Sequence, residues 1–349
     1  MNANVAALGL ERQGRAAYRW GRMTRRPFPI LFIAPSRLGD AVLASGLVKV
    51  LVEKIPNASF TFVCSELGAP LFADTPGLDH IIIMEKKPLS RHWLGLWRQA
   101  RGVRWGLIVD LRGSGISSLL MRRRRAVHRK PLIPVHKVIE AAGLLNLETD
   151  PPSPFLFTSE ETRARAAELT AGEGPILAIA PATNWVGKAW PAERFAAVAR
   201  ALLSPGGLLA GGRLMVLGGW HDRAAADQVK MAAPRKRCID LVGSEDLLVG
   251  YAALGRARLF IGNDSGVMHL AAAAGVPTLG LFGPSDESLY GPWGQTSRSV
   301  RGPRPFEAFL ELDPTLSQAL CHMTDLAVSQ VLAAAEDLIR VTNPEAVHG

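Results

Sequence analysis

The chain has 349 residues, 48% of them hydrophobic, and carries 40 Lys and Arg against 31 Asp and Glu, a formal net charge of +9. That length exceeds one hydrophobic core and leads us to expect two domains of roughly 150 residues each, while 34 Gly and 24 Pro without a period and a mean hydropathy of +0.13 exclude collagen-like or disordered sequence. No apolar run is long enough for a bilayer span and no signal-peptide core is present, and Cys64, Cys238 and Cys321 lie far apart without metal-ligand spacing, so we expect a soluble cytoplasmic protein.

Residues 1–29 read as a basic extension: Arg12, Arg15, Arg19, Arg22, Arg25 and Arg26 stand against only Glu11, with Leu8, Leu10, Tyr18, Trp20 and Met23 between them. A basic amphipathic helix on a membrane interface and a frayed tail fit this pattern equally. The first domain is expected over 30–150. ILFIAP, from Ile30, is a buried strand, SRLGD is a turn, and Val42, Leu43, Leu47, Val50 and Leu51 have helical spacing over Ala41–Lys54. Strands follow at Ser59–Cys64, His80–Met84 and Trp105–Leu111, the last two separated by a Trp-rich helix. This alternation implies parallel βαβ units.

The run MRRRRAVHRK, residues 121–130, reads first as a solvated basic face. With the N-terminal cluster in the same half of the chain, Arg122, Arg123, Arg124 and Arg125 become candidate contacts to an anionic acceptor or membrane. The basic runs have little aromatic interleaving suited to stacking bases, so no nucleic acid partner is expected. A short helix over His136–Leu145 precedes a Pro-rich stretch with Pro151, Pro152 and Pro154, and 151–175 is expected to be a linker.

A second Rossmann-like domain is expected over 176–322. ILAIAP, from Ile176, echoes the first strand, and helices and strands alternate again through Pro191–Leu203, Arg213–Gly218, Asp222–Ala233, Cys238–Leu241 and Asp246–Leu254. The residues 323–349 hold a last amphipathic helix, Asp325–Ile339, expected to pack back across the domain boundary.

Three turns carry candidate chemistry. Asp40, beside Gly39 at the start of the first helix, is either a cap or a general base. In PATNWVGKAWP, Thr183 and Asn184 can donate hydrogen bonds to phosphate and Lys188 brings a mobile positive charge, with Trp185 and Trp190 fixing the loop. The stretch FIGNDSGVMHLAAAAGVPTLGLFGPSD, from Phe260 to Asp286, is strand, polar turn and helix. Its leading amides suit an anion, with Asp264 and Ser265 as cap types and His269 one turn on. A second strand, Pro277–Phe282, ends in another polar turn on the same edge, where open α/β sheets bind ligands. GxGxxG, the P-loop and any Asp-x-Asp pair are absent, so we expect no metal and no cofactor, with a diphosphate held by Lys188 and helix N-termini.

Together SRLGDAVLASGLVKVL, NWVGKAWP and NDSGVMHLAAAAGVPTLGLFGPSD resemble, in order from Ile30 to past Asp286, the motifs of the family 9 glycosyltransferases, the ADP-heptose:lipopolysaccharide heptosyltransferases. The resemblance implies an α/β GT-B fold, two Rossmann-like domains facing across a cleft, with the acceptor bound mainly by the first and an ADP-sugar by the second. It further implies metal-independent, inverting transfer of heptose to a Kdo–lipid A inner core, a lipid-linked anionic glycan, by a protein peripheral to the cytoplasmic face of the inner membrane. Position by position, Asp40 matches the family's proposed base and Lys188 the lysine that contacts donor phosphate and stabilises departing ADP. Thr183 and Asn184 match phosphate-loop positions, and Asp264, Ser265, Gly266 and His269 the DTGxxH-type donor motif. Ser265 departs from the usual Thr but keeps the hydroxyl, and Trp185, Val186 and Gly187 replace commoner polar residues. The alternatives are a GT-B transferase using another nucleotide sugar for a different surface glycan, and a non-enzymatic basic binder of anionic membrane or nucleic acid.

Overall fold

In the computed structural model, which describes residues 26–85, 88–243, 246–316 and 318–342, the chain forms two lobes, each built on an all-parallel sheet. The sequence reading of the basic extension falls on residues outside this range except at its end. In the N-terminal lobe β1 (Phe28–Ile33) leads through α1 (Leu38–Leu43) and α2 (Gly46–Lys54) to β2 (Ala58–Cys64) and β3 (Leu78–Ile83). Helix α3 (Arg91–Ala100), β4 (Trp105–Asp110), β5 (Arg122–Val127) and α4 (Lys137–Ala142) complete it. The strand order is β3-β2-β1-β4-β5. After α5 (Glu160–Leu169), the C-terminal lobe runs β6 (Ile176–Ala180), α6 (Ala192–Leu203), β7 (Arg213–Gly218), α7 (Arg223–Lys230), β8 (Cys238–Val242), α8 (Leu247–Leu254), β9 (Leu259–Asn263) and α9 (Gly266–Ala273). It ends with β10 (Thr278–Phe282), α10 (Glu287–Tyr290), β11 (Ser297–Arg301), α11 (Phe306–Leu312) and α12 (Val328–Thr342), in the sheet order β11-β10-β9-β6-β7-β8.

Strands β1, β6, β9 and β10 are apolar runs because helices cover both faces of a parallel sheet; β6, β9 and β10 are buried at every residue. In each sheet the order reverses beside the first strand, at β1/β4 and at β6/β9. Those two reversals are where such sheets open a crevice at the carboxyl ends of their strands, and the turns and helix starts there carry Asp40 on one side and Thr183 to Lys188 and Asp264 to Gly266 on the other.

Four expectations need correction. The helix expected over Ala41–Lys54 is two helices, broken where Ser45 Oγ donates to the Val42 carbonyl at 2.6 Å and accepts from the Phe155 N–H at 2.9 Å. The stretch expected as a linker crosses here, and it holds a helix of its own. Ser159 begins α5 by accepting from the Thr162 N–H, while the Asp74 carboxylate accepts from the Ser159 N–H and Thr162 Oγ1, both at 2.7 Å. So α5 is tied to the first lobe and packs against α8 of the second. The last helix packs on the C-terminal sheet and α6 rather than returning across the boundary, because Val331, Ala335, Leu338 and Ile339 join the core of Trp190, Phe195 and Leu202. Finally, the arginine run is strand β5, in register with β4 from Trp105↔Arg122 to Asp110↔Val127. A strand of charged residues is tolerated because it sits at the sheet edge, where only one side needs a partner and charge discourages further pairing.

The crossing segment lies so close to α2 that a Cβ on Gly46 would come within 2.5 Å of the Pro152 and Ser153 carbonyl oxygens. Backbone cannot yield there as a side-chain tip would. Gly46→Ala is therefore expected to lower stability by about 2 kcal/mol, read as a fall in the urea midpoint; an unchanged midpoint would show that the crossing is loosely held.

Candidate functional site

The site is assembled where the first turn of α1 meets the first turn of α9. A Cβ on Gly39 would lie 3.0 Å from His269 Cδ2, and one on Gly266 would lie 2.9 Å from Leu38 Cδ2. Glycine at both positions lets helices from different lobes approach end to end. Asp40, half-buried, thus comes into the electrostatic neighbourhood of Asp264 from the opposite lobe. Burial raises its carboxyl above the ordinary value; Arg37 and Lys137 oppose this, and Glu140 and Asp264 add to it.

On the other lobe Asn263 organises the approach. Wholly buried, it accepts from the Trp190 N–H at 3.0 Å and donates to the Pro181 carbonyl at 2.7 Å, clamping both ends of the loop after β6 to the end of β9. Within that loop Trp185 lies on Gly187, where a Cβ would stand 2.4 Å from the ring, and donates its indole N–H to the Gln318 carbonyl at 3.0 Å. This accounts for the unusual Trp185-Val186-Gly187: the indole holds down the 3-10 turn Val186–Lys188. Lys188 is not the mobile cation expected from the sequence. Its Nζ pairs with Asp264 Oδ2 at 2.6 Å, because a carboxylate with a side chain only 7% exposed requires a counter-charge. Thr183 Oγ1 reaches the Asp264 carbonyl at 3.4 Å and Asn184 Oδ1 at 3.3 Å.

Helix α9 starts at Ser265, whose side chain makes no cap hydrogen bond; its Oγ is buried without a partner. Asp264, expected as a possible cap, is committed to Lys188. The leading amides of α9 are therefore not capped by a side chain, and with the unpartnered Ser265 hydroxyl they form a cluster of donors behind Leu38 of the opposite lobe. His269 is buried beneath them, its Nδ1 without a partner and its Nε2 4.0 Å from Asp264 Oδ1. Burial depresses its pKa to about 4, against the pull of Asp264 and with help from His136 and Lys188, so the imidazole is neutral. The turn after β10 opens on the same edge, but Asp286 is used to cap α10, accepting from the Ser288 N–H at 2.9 Å.

The structure thus brings together Asp40, Thr183, Asn184, Lys188, Asp264, Ser265, Gly266 and His269, and leaves Arg122, Arg123, Arg124 and Arg125 on the sheet edge. It also adds residues that the sequence reading passed over. Glu140 accepts from Lys137 and contacts His128 Nε2, each at 2.6 Å, and the charges of Lys137 and Glu140 are felt at Asp40. His136 Nδ1 accepts from the Val138 N–H at 3.2 Å, which leaves Nε2 to donate to the Gly291 carbonyl at 2.9 Å and join the lobes. The signal available in the sequence was the i, i+3 pair Lys137/Glu140 at a helix start. Among the described residues no group of three His, Cys, Asp or Glu side chains is arranged to hold a metal ion, and no helix is long and apolar enough to cross a membrane.

Comparison with known proteins agrees with this arrangement. The chain is 24% identical over 311 residues to lipooligosaccharide heptosyltransferase 2 of Haemophilus ducreyi, covering 78% of this chain and 88% of that protein. It is 27% identical over 309 residues to lipopolysaccharide heptosyltransferase 1 of Pseudomonas aeruginosa, covering 76% and 82%. The fold matches the family 9 glycosyl transferase from Veillonella parvula with a TM-score of 0.72 at 23% identity, covering 90% of this chain and 98% of that one. It matches Escherichia coli ADP-heptose LPS heptosyltransferase II with a TM-score of 0.69 at 20% identity, covering 90% and 99%. Two parallel Rossmann-like lobes meeting at their strand ends are the GT-B arrangement. The model of glycosyltransferase family 9 (heptosyltransferase) matches residues 93–312, well over half of the chain, and the protein belongs to that family.

Proposed function

We propose that this protein transfers heptose from ADP-heptose, with inversion and without a metal, to the Kdo–lipid A inner core of lipopolysaccharide. The observation that carries the reading is the meeting of two lobes at α1 and α9: a half-buried carboxylate with a raised pKa on one side faces an uncapped helix start, an unpartnered serine hydroxyl and a lysine on the other. The names of the relatives, heptosyltransferases of lipopolysaccharide and lipooligosaccharide, supply the donor sugar and the acceptor class.

In this reading the diphosphate lies at the start of α9, against Ser265 and the amides from Gly266 onward, with Thr183 and Asn184 alongside. Asp40 takes the proton of the acceptor hydroxyl as its oxygen attacks the anomeric carbon. That bond forms as the bond from the anomeric carbon to the diphosphate oxygen breaks on the opposite face, which inverts the centre and releases ADP. Lys188 and the α9 amides stabilise the charge growing on the departing diphosphate. Neutral His269 packs under the helix start, so the countercharge to the diphosphate comes from Lys188 and the α9 amides.

Transfer assays with ADP-heptose, UDP-glucose and GDP-mannose on a Kdo–lipid A acceptor test this directly. Turnover with ADP-heptose alone is expected. Equal or faster turnover with another nucleotide sugar would replace the donor assignment. Ser265→Ala is expected to weaken ADP about tenfold, one hydrogen bond to a charged group, by calorimetric titration. Unchanged affinity would move the diphosphate elsewhere.

A further inference from the structure

We propose that the free edge of the N-terminal sheet is a docking surface for an anionic lipid bilayer, formed by the arginine strand β5 and the exposed apolar side chains at its two ends. Strand β5 ends the sheet order, and among the described residues no carboxylate pairs with any of its four arginines. Arg122 donates to the Ser118 and Leu120 carbonyls and Arg125 to Ser118 Oγ, whereas Arg123 and Arg124 are exposed. At one end Leu119 and Met121 are 69% and 59% exposed; beyond the other, after Arg129 and Lys130, Leu132 is wholly exposed and Ile133 is 75% exposed.

The register gives this strip a direction. Arg122 lies opposite Trp105, at the far end of β4, and Val127 lies opposite Asp110, at the cleft end. A six-residue strand spans about 20 Å, so the cationic edge runs from the far end of the lobe to the mouth of the cleft. Leu132 and Ile133 follow that end in the chain, a few residues before Lys137, whose charge is felt at Asp40. Beside the strand a groove of about 620 Å³ is lined by Phe28, Leu107, Leu144 and Leu145 together with residues 123–126 of β5. Cations along an exposed edge, flanked at both ends by exposed aliphatic side chains, match a layer of anionic headgroups over hydrocarbon. A nucleic acid fits worse, because no Phe, Tyr or Trp lies between residues 119 and 135 to stack on a base.

The proposal rests on the reading above in taking the acceptor to be lipid-linked, and its test needs no turnover. Flotation of the full chain would use vesicles of phosphatidylcholine alone and with about one-third phosphatidylglycerol. Binding only to the anionic vesicles is expected. Arg123→Glu with Arg124→Glu is expected to lower the partition coefficient about tenfold or more, and Leu132→Ser with Ile133→Ser to remove the binding that survives high salt. Arg235→Glu with Lys236→Glu makes the same change in net charge on the other lobe, and should stay within about twofold of the parent. Equal loss in this control, equal binding to neutral vesicles, or unaltered partition in both edge variants would overturn the proposal. So would loss of RNA binding but not vesicle binding in the arginine variant. The Leu132 and Ile133 pair, on an exposed loop, keeps the test open should the arginine variant fold poorly. A protein that floats as expected but transfers no sugar would leave this surface standing and remove the transferase reading; transfer without flotation would do the reverse.

Discussion

Replacing Asp40 by Asn is expected to cut kcat by about 10²- to 10⁴-fold, the contribution typical of a positioned general base, while ADP affinity stays within about threefold. The two readouts separate because Asp40 belongs to the lobe opposite the proposed diphosphate site. Parental turnover in Asp40→Asn would remove the residue from the mechanism. The pH dependence carries a sign. Burial raises the carboxyl, so the parent should lose activity on acidification at a higher pH than an ordinary aspartate would give. A carboxyl raised by folding favours the folded state while protonated, and that contribution is lost as pH rises through the folded-state value. At neutral pH the ionised Asp40 therefore costs stability, and Asp40→Asn should melt above the parent at pH 7 but not below the ordinary aspartate value. A lower melting point at pH 7 would mean that the carboxylate is held by favourable contacts instead.

Lys188→Ala is expected to act on both activity and stability. If Lys188 stabilises the departing diphosphate as proposed, kcat should fall by about 10²- to 10³-fold and ADP should bind more weakly. The same change strands Asp264, whose side chain is 7% exposed, and breaking such a pair costs about 3 kcal/mol. Lys188→Met combined with Asp264→Asn removes both charges, so it should recover most of that stability and none of the activity. Denaturation midpoints and initial rates for the two variants, measured side by side, decide the matter. If the double variant is no more stable than Lys188→Ala, the ion pair is not the source of the loss; if Lys188→Ala turns over normally, the leaving-group role is gone.

Much of the architecture could be read from the chain because each buried parallel strand is a continuous apolar run and each covering helix shows its own spacing. ILFIAP, ILAIAP and LFIGN announce β1, β6 and β9, and the polar residues following them announce the turns. Strand β5 could not be read this way. Its pairing with β4 comes from backbone hydrogen bonds that any sequence can make, and four arginines leave no apolar pattern to betray it. Helix α5 was hidden for a related reason: the prolines at 151, 152 and 154 end just short of Ser159, and the acidic Glu160 and Glu161 that mark its first turn read equally well as a polar linker.

The candidate site divides in the same way. By itself the sequence determined which side chains are available at the strand ends, since turn chemistry and helix starts depend on neighbours only a few residues away. Only the tertiary structure decided that Lys188 is held by Asp264, 76 residues on, that Ser265 is left without a partner, and that the charges of Lys137 and Glu140 are felt at Asp40. Charge pairing, burial and the close approach of Gly39 to His269 depend on distance in space, which the order of residues along a chain does not record.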